Sequence, residues 1–172
     1  PEGSHRRDGA LDNLANLYNP GCDRISLHHF FDNKVGGSLH GTSGDGLTKF
    51  GQPAMTKMLQ LNIIIDVSHS SENVVRDVLE ISNKPIVISH TGFNGHCQSP
   101  RNIRDNIMVE IAKQGGLIEV GFWEGAVCDN THRSVAEGMI DGVGHMGEGR
   151  VTDKHLRLPT ATNVGGEIGW VG

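Results

Sequence analysis

Two apolar segments of the chain each end in a Ser-His pair, and this repeat constrains the fold more than any other feature. The segment IIIDVSHSS, residues 63–71, places His69 directly after a run of strand-forming residues, and PIVISHTG, residues 85–92, places His90 in the same way. Apolar runs of this kind, ended by polar residues, are typical of buried β-strands. Each histidine is therefore expected at the point where a strand ends.

Strand-like and helix-like patterns alternate along the rest of the sequence. Strands are predicted at 22–30, 62–67, 86–89 and 117–123, and an earlier strand is represented only by its end before Glu2. Helices are predicted at 11–18, 53–61, 103–114 and 132–146, and one more begins at Ser70 or Ser71 with Val74, Val75, Val78, Leu79 and Ile81 on one face. Gly115 and Gly116 are expected to close the helix at 103–114. This alternation indicates parallel β/α units.

Polar residues with metal-binding or proton-transfer chemistry follow several of these strands. Glu2, His29, His69 and His90 each lie at or just past the carboxyl end of a predicted strand. In a (β/α)8 barrel these ends converge on one face, where the active site is built. The predicted fold class is therefore α/β, a (β/α)8 TIM barrel. A whole barrel has typically about 250 residues and the chain has 172, so the predicted barrel is partial.

The types of these side chains favour a zinc site. Zinc takes neutral imidazole nitrogens and carboxylate oxygens, and a catalytic site keeps one position open for water. The alternative is that histidines at strand ends only hydrogen-bond to loops. The recurrence of the Ser-His ending on consecutive strands favours the metal site. Asp66 is expected to share the side of His69 and is a candidate to orient that imidazole.

The sequence contains three further candidate sites. The segment GTSGDGLT, residues 41–48, has the glycine spacing of a phosphate-binding loop, but Leu47 occupies the lysine position. We therefore expect it to shape the mouth of the barrel. A Ser68–His69–Asp66 triad is disfavoured because adjacent strand residues point to opposite faces. Arg101, just before a helix, is either a clamp for a carboxylate or a solvated loop residue.

Composition excludes several functional classes. A formal net charge of -5 with no basic run argues against a nucleic-acid partner, and no apolar stretch approaches the roughly 20 residues of a membrane span. The 3 cysteines form no CxxC pair. This pattern argues against a disulfide scaffold and favours a reducing compartment, hence a cytoplasmic location.

A series of longer motifs carries a family resemblance. The stretches EGSHRRDGALDNLANLY, HHFFDNKVGGSLHG, GLTKFGQ, DVSHSSENVVRDVLEIS, PIVISHTG and CQSPRNIRDN resemble the membrane (renal-type) dipeptidase family of zinc metallopeptidases, in the family's order from Glu2 to about Cys128. The resemblance implies a (β/α)8 barrel with two zinc ions that hydrolyses dipeptides. It divides the chain into a partial barrel at 1–146 and an unaligned Gly-rich tail at 147–172.

The resemblance also implies roles for individual residues. Glu2 corresponds to the catalytic carboxylate that bridges the metals, and His69 and His90 correspond to ligands of the second zinc. His29 corresponds to the histidine that contacts the tetrahedral centre of the substrate, and Arg101 to the arginine that binds the free carboxylate of the dipeptide.

Two departures from the family pattern concern the other zinc. Its His-x-Asp ligands are expected upstream of residue 1, and its late aspartate does not align in the tail, where Asp153 and His155 stand in a different setting. A complete family site has two zinc ions, and in this chain one of the two ligand sets is expected to be incomplete.

The function expected from the sequence is zinc-dependent hydrolysis of dipeptides, with a dipeptide as substrate and a homodimer as the assembly. Two alternatives remain open at this point. One is a truncated, non-catalytic relative that acts as a scaffold or a metal-binding fragment. The other is a different metal-dependent barrel enzyme of the amidohydrolase type.

Overall fold

The structure, a computed structural model, describes residues 23–121 and 123–128 and the backbone of a strand at 167–169. Glu2, the helices predicted at 11–18 and 132–146, and the tail residues Asp153 and His155 lie outside the described residues. The chain forms two compact units, residues 1–87 and 88–172. The boundary predicted at residue 146 stays a prediction.

The first unit is built from parallel β/α units. Its elements are β1 (Arg24–Ser26), α1 (Gly51–Gln60), β2 (Ile64–Asp66) and α2 (Glu72–Ile81). β1 and β2 are parallel neighbours with Ser26 opposite Asp66, and Asp66 pairs in parallel with Val87, the first residue of β3. The predicted parallel arrangement is confirmed for these strands.

Helix α2 begins where the sequence indicates. The hydroxyl of Ser71 accepts a hydrogen bond from the backbone N–H of Val74, at 3.2 Å, and so caps the first turn. The buried face consists of Val74, Val75, Val78 and Leu79, each contributing about 2 kcal/mol through apolar burial. The prediction for Ile81 is wrong, since its side chain is 40% exposed. It is the last residue of the helix and lies at the edge of the packed face.

Helix α1 begins two residues before the predicted start at residue 53, at Gly51. A Cβ atom at Gly51 would collide with the carbonyl oxygen of Val35, so only glycine lets the helix approach this loop so closely. Pro53 lies in the first turn, where its missing N–H costs no hydrogen bond.

Strand β3 (Val87–Thr91) begins at the last residue of the first unit. The second unit continues with α3 (Asp105–Lys113), β4 (Leu117–Gly121), α4 (Glu124–Val127) and β5 (Glu167–Gly169). At the end of α3, Gly115 has a φ of 75° and the N–H of Gly116 donates to the carbonyl of Ile111 at 3.0 Å. The predicted glycine cap is therefore confirmed. Strand β5 pairs antiparallel with β4, which corrects the expectation of parallel units only and adds a strand that the tail sequence did not indicate.

A disulfide joins Cys97 and Cys128, whose Cα atoms are 5.5 Å apart and whose positions differ by 31 residues. The sequence argued against a disulfide scaffold, and this one bond is a feature that the spacing of the cysteines did not predict. The two residues are far apart along the chain, and only the fold of the unit brings them together. The argument for a cytoplasmic location that rested on the cysteine pattern therefore no longer holds. Within the described residues, every helix is too short or too polar to cross a membrane.

Candidate active site

The register of β1 and β2 brings two of the predicted site residues together. Ser26 and Asp66 are opposite each other at the ends of these strands, and His29 and His69 each follow three residues later in the sequence. Their ring centroids are 4.9 Å apart, and one ring presents its edge to the other. The expectation that strand-end histidines meet is confirmed for this pair.

Two further rings complete a cluster that we call the ring cluster: His29, Phe30, His40 and His69. The Phe30 ring lies 4.1 Å from His29, 5.4 Å from His69 and 5.5 Å from His40. His40 is also 5.5 Å from His69. Phe30 is 49% exposed, so the cluster reaches solvent. Sequence reasoning missed Phe30 because it was counted as an apolar residue of the strand predicted at 22–30, whereas the strand ends at Ser26. His40 was missed because it lies in a loop.

His69 has an unusual backbone conformation. Its φ of 63° lies in the left-handed region, which costs a residue other than glycine about 1–2 kcal/mol. The loop before α1 stabilises this conformation, because the N–H of Leu39 donates to the carbonyl of His69 at 2.7 Å. Such strain recurs at functional sites, where surrounding structure fixes one side chain in a required direction.

The Gly-rich segment 41–48 packs against the beginning of α2. Ser71 donates from its hydroxyl to the carbonyl of Asp45 at 2.6 Å, and Asn73 donates to the carbonyl of Gly44 at 2.8 Å. The N–H of Leu47 donates to the carboxylate of Asp77 at 2.7 Å. This end of α2 follows the carboxyl end of β2. The polar groups of the segment are therefore used in contacts with α2 and its cap, and the predicted role at the mouth of the barrel stays a prediction.

Asp32 organises the loop that carries Ser38 and His40. Its carboxylate accepts hydrogen bonds from the backbone N–H groups of Ser38 at 2.7 Å, Thr42 at 3.0 Å and Ser43 at 3.1 Å. The bonds from Ser38 and Ser43 lower the pKa of this carboxyl below its usual value. Gly41 leaves room for the carboxylate, since a Cβ atom there would collide with it.

We expect Asp32→Asn to destabilise the protein in a pH-dependent way. The depressed pKa of folded Asp32 means that its charge stabilises the fold above the ordinary value of 3.8, and that this stabilisation is lost as the pH falls through the lower folded pKa. Thermal unfolding should show a melting temperature lower by about 2–4 °C at pH 7. The difference should shrink below about pH 4.

The matched control is Asp45→Asn, which changes an exposed aspartate of the same loop. This variant should unfold like the unmodified protein at every pH. A difference for Asp32→Asn that stays constant down to about pH 2 would contradict the role of its charge.

In the second unit, His90 is the fourth residue of β3, so it lies inside the strand near its carboxyl end and not past it. Its Nδ1 atom is 2.9 Å from the hydroxyl of Ser89. The ring of Trp123 is near, with centroids 6.3 Å apart. In this second Ser-His pair, the serine and histidine side chains are therefore in direct contact.

Arg101 is not the solvated loop residue of the alternative interpretation. It is only 9% exposed, its Nη2 donates to the carbonyl of His90 at 3.1 Å, and its guanidinium carbon lies 5.2 Å from the centroid of the Trp123 ring. Asn102 holds the neighbouring backbone by donating to the carbonyls of Cys97 and Ala126, both at 2.8 Å. Sequence reasoning missed Trp123, which only the fold places against Arg101.

The predicted metal ligands are only partly covered by the described residues. His69 lies in the first unit, His90 lies in the second, and Glu2 falls outside the described part of the chain. Within the residues that the structure describes, no group of three or more histidine, cysteine, aspartate or glutamate side chains could hold a metal ion. Asp66 uses one carboxylate oxygen to accept from the N–H of Ser68 at 3.0 Å. Because the strand ends at Asp66 and His69 has a left-handed φ, the alternation of side chains in a strand does not decide which side His69 occupies, and the role of Asp66 in orienting it stays a prediction.

Comparison with known proteins defines the class. The family model described as Membrane dipeptidase (Peptidase family M19) matches residues 1–150. The chain therefore belongs to this family of metallopeptidases, and the resemblance seen in the sequence motifs is confirmed. Dipeptidase 3 of Mus musculus is 30% identical over 135 residues, which are 69% of this chain and 25% of the mouse protein.

Solved structures show the same fold. An amidohydrolase from Pseudomonas aeruginosa has a TM-score of 0.75 at 24% identity, covering 86% of this chain and 46% of that one. A metallopeptidase from Rhodobacter sphaeroides, liganded with a phosphinate mimic of the dipeptide L-Ala-D-Ala, has a TM-score of 0.71 at 22% identity, with the same two coverages. The chain thus spans about a quarter of the mouse relative and about half of these structures. The α/β fold class and the partial dipeptidase-type barrel are confirmed.

Proposed function

We propose that the protein hydrolyses the peptide bond of dipeptides with zinc as its metal. The observation that carries this proposal is the convergence of His29 and His69 beyond the paired ends of β1 and β2, with ring centroids 4.9 Å apart, in a chain of a metallodipeptidase family. A strand-end pair of imidazoles provides both a metal donor and a hydrogen-bond donor for substrate. The metal would activate the water, and the hydrogen-bond donor would stabilise the charge that develops on the carbonyl oxygen.

The chemistry of the donor set fits zinc. His69 and His90 offer imidazole nitrogens and Glu2 offers carboxylate oxygens, which are the donors that catalytic zinc takes. These three residues would hold the metal. When bound, zinc supplies a water molecule of lowered pKa and polarises the peptide carbonyl.

The other residues would bind and orient the substrate. His29 would donate a hydrogen bond to the oxygen that gains charge as the peptide carbon becomes tetrahedral. Arg101 would bind the free carboxylate of the dipeptide through two parallel N–H groups of its planar guanidinium. Because Trp123 and the carbonyl of His90 already orient this guanidinium, little conformational freedom is lost when a carboxylate binds.

A substrate panel on the full-length protein tests the proposal. We expect zinc-dependent release of amino acids from L,L-dipeptides and from L-Ala-D-Ala, with turnover on the order of 10 per second. A chelator should abolish turnover and added zinc should restore it. Hydrolysis of a cyclic amide without any hydrolysis of dipeptides would favour the amidohydrolase alternative. Absence of both activities in a zinc-loaded protein would favour the non-catalytic one.

A further inference from the structure

The hydroxyl of Ser38 lies where the main chains of three ring-cluster histidines meet. Its Oγ atom is 2.9 Å from the carbonyl oxygen of His29 and 3.1 Å from the carbonyl oxygen of His69. The backbone N–H of His40 donates to the same oxygen at 3.2 Å. Ser38 is only 2% exposed, so water does not compete strongly for these bonds.

These contacts account for the hydrogen-bonding capacity of the side chain. A serine hydroxyl has one proton to donate and can accept through its lone pairs. The proton is shared between the carbonyls of His29 and His69, and the oxygen accepts from His40. One small side chain therefore links the three imidazole-bearing residues of the cluster, although it touches none of their rings in these contacts.

Ser38 is itself fixed from two sides. Its N–H donates to the carboxylate of Asp32 at 2.7 Å, and its backbone forms an antiparallel bridge with Ser70. The next residue, Leu39, donates to the carbonyl of His69 at 2.7 Å. The left-handed conformation of His69 is thus held by two consecutive residues of one loop.

We propose that Ser38 is a positioning residue of this site, which sets the directions of the His29 and His69 imidazoles through their main-chain carbonyls. The proposal rests on the proposed function for the roles of these two histidines. A site of this kind requires its side chains within about 0.5 Å of the productive geometry, and a shift of either backbone moves its ring directly. Ser38 acts without contacting the substrate.

The test compares Ser38→Ala and Ser38→Thr with the matched control Ser82→Ala. Ser82 is also buried, at 7% exposure. Its hydroxyl donates to the carbonyl of Lys84 at 2.8 Å and accepts the N–H of the same residue at 3.2 Å. It lies at the other end of α2. Both alanine variants lose the same types of hydrogen bond, but only Ser38→Ala loses bonds to histidines.

The first measurement is the NMR spectrum of the imidazole nitrogens and ring protons, which does not depend on activity. We expect Ser38→Ala to shift the imidazole resonances of His29, His40 and His69. In Ser38→Thr and Ser82→Ala these resonances should have the same positions as in the unmodified protein. Unchanged resonances in Ser38→Ala, or equal shifts in Ser82→Ala, would overturn the proposal. If Ser38→Ala does not fold, Ser38→Cys, whose thiol is a weaker donor, replaces it in the same comparison.

The second measurement is dipeptide turnover. We expect kcat to fall by about tenfold or more in Ser38→Ala, with KM changed less than about twofold, and to recover in Ser38→Thr. Ser82→Ala should keep its kcat, and an equal loss in Ser82→Ala would overturn the proposal. If the unmodified protein hydrolyses no dipeptide, the proposed function fails, while the NMR comparison still decides whether Ser38 positions the histidines.

Discussion

His69→Ala and His90→Ala should each lower the zinc affinity of the full-length protein by more than about 100-fold, because loss of groups that merely surround a metal ligand already costs 10–100-fold. Dipeptide turnover should fall with the bound metal. The affinity can be measured by competition with a chromophoric chelator and the bound zinc by elemental analysis. His69 is also buried within the ring cluster, at 5% exposure, so a melting curve must accompany each variant.

The matched control for this experiment is His96→Ala. His96 lies in the second unit, in the loop after β3, and its backbone N–H donates to the carbonyl of Phe93 at 3.2 Å, a bond that alanine keeps. We expect this variant to bind zinc normally. Equal zinc content in all three variants would show that His69 and His90 are not ligands.

Arg101→Lys should reduce kcat/KM for dipeptides by about 10–150-fold, the equivalent of the 1.5–3 kcal/mol assigned to hydrogen bonds with charged groups. Lysine keeps the charge but cannot form two parallel bonds to a carboxylate. A dipeptide amide has no C-terminal carboxylate, so its kcat/KM should change far less. Steady-state kinetics with both substrates measure the difference.

Arg104→Lys provides the control for Arg101→Lys. Arg104 is an exposed arginine three residues further along the same segment. The Arg104→Lys variant should have the same kcat/KM as the unmodified protein with the dipeptide and with its amide. A loss of equal size on the dipeptide and its amide in Arg101→Lys would argue that Arg101 supports the structure and does not bind the substrate carboxylate.

Features that depend on neighbouring residues were predictable from the sequence. The cap at Ser71, the glycine end of α3 and the buried face of α2 follow from short-range spacing, which the polypeptide satisfies locally. The meeting of His29 and His69 was predictable as well, because parallel strands end on one side of a sheet.

Features that depend on how loops return to the strands were not predictable. His40 enters the ring cluster, and Ser38 reaches two carbonyls, only because Asp32 folds the loop around its carboxylate. Trp123 meets Arg101 only through the packing of the second unit. The periodicity of apolar residues predicts helices and strands, but it does not predict contacts made by loops. The disulfide was missed for the same reason.

The bond between Cys97 and Cys128 turns the intervening part of the chain into a covalent ring that contains Arg101, α3 and β4. A protease that cuts once inside this ring opens it without releasing either piece, since both ends remain joined through sulfur. Arg101 therefore lies in a segment that one cleavage cannot detach. After one such cleavage, the two pieces of the chain separate only when the disulfide is also reduced.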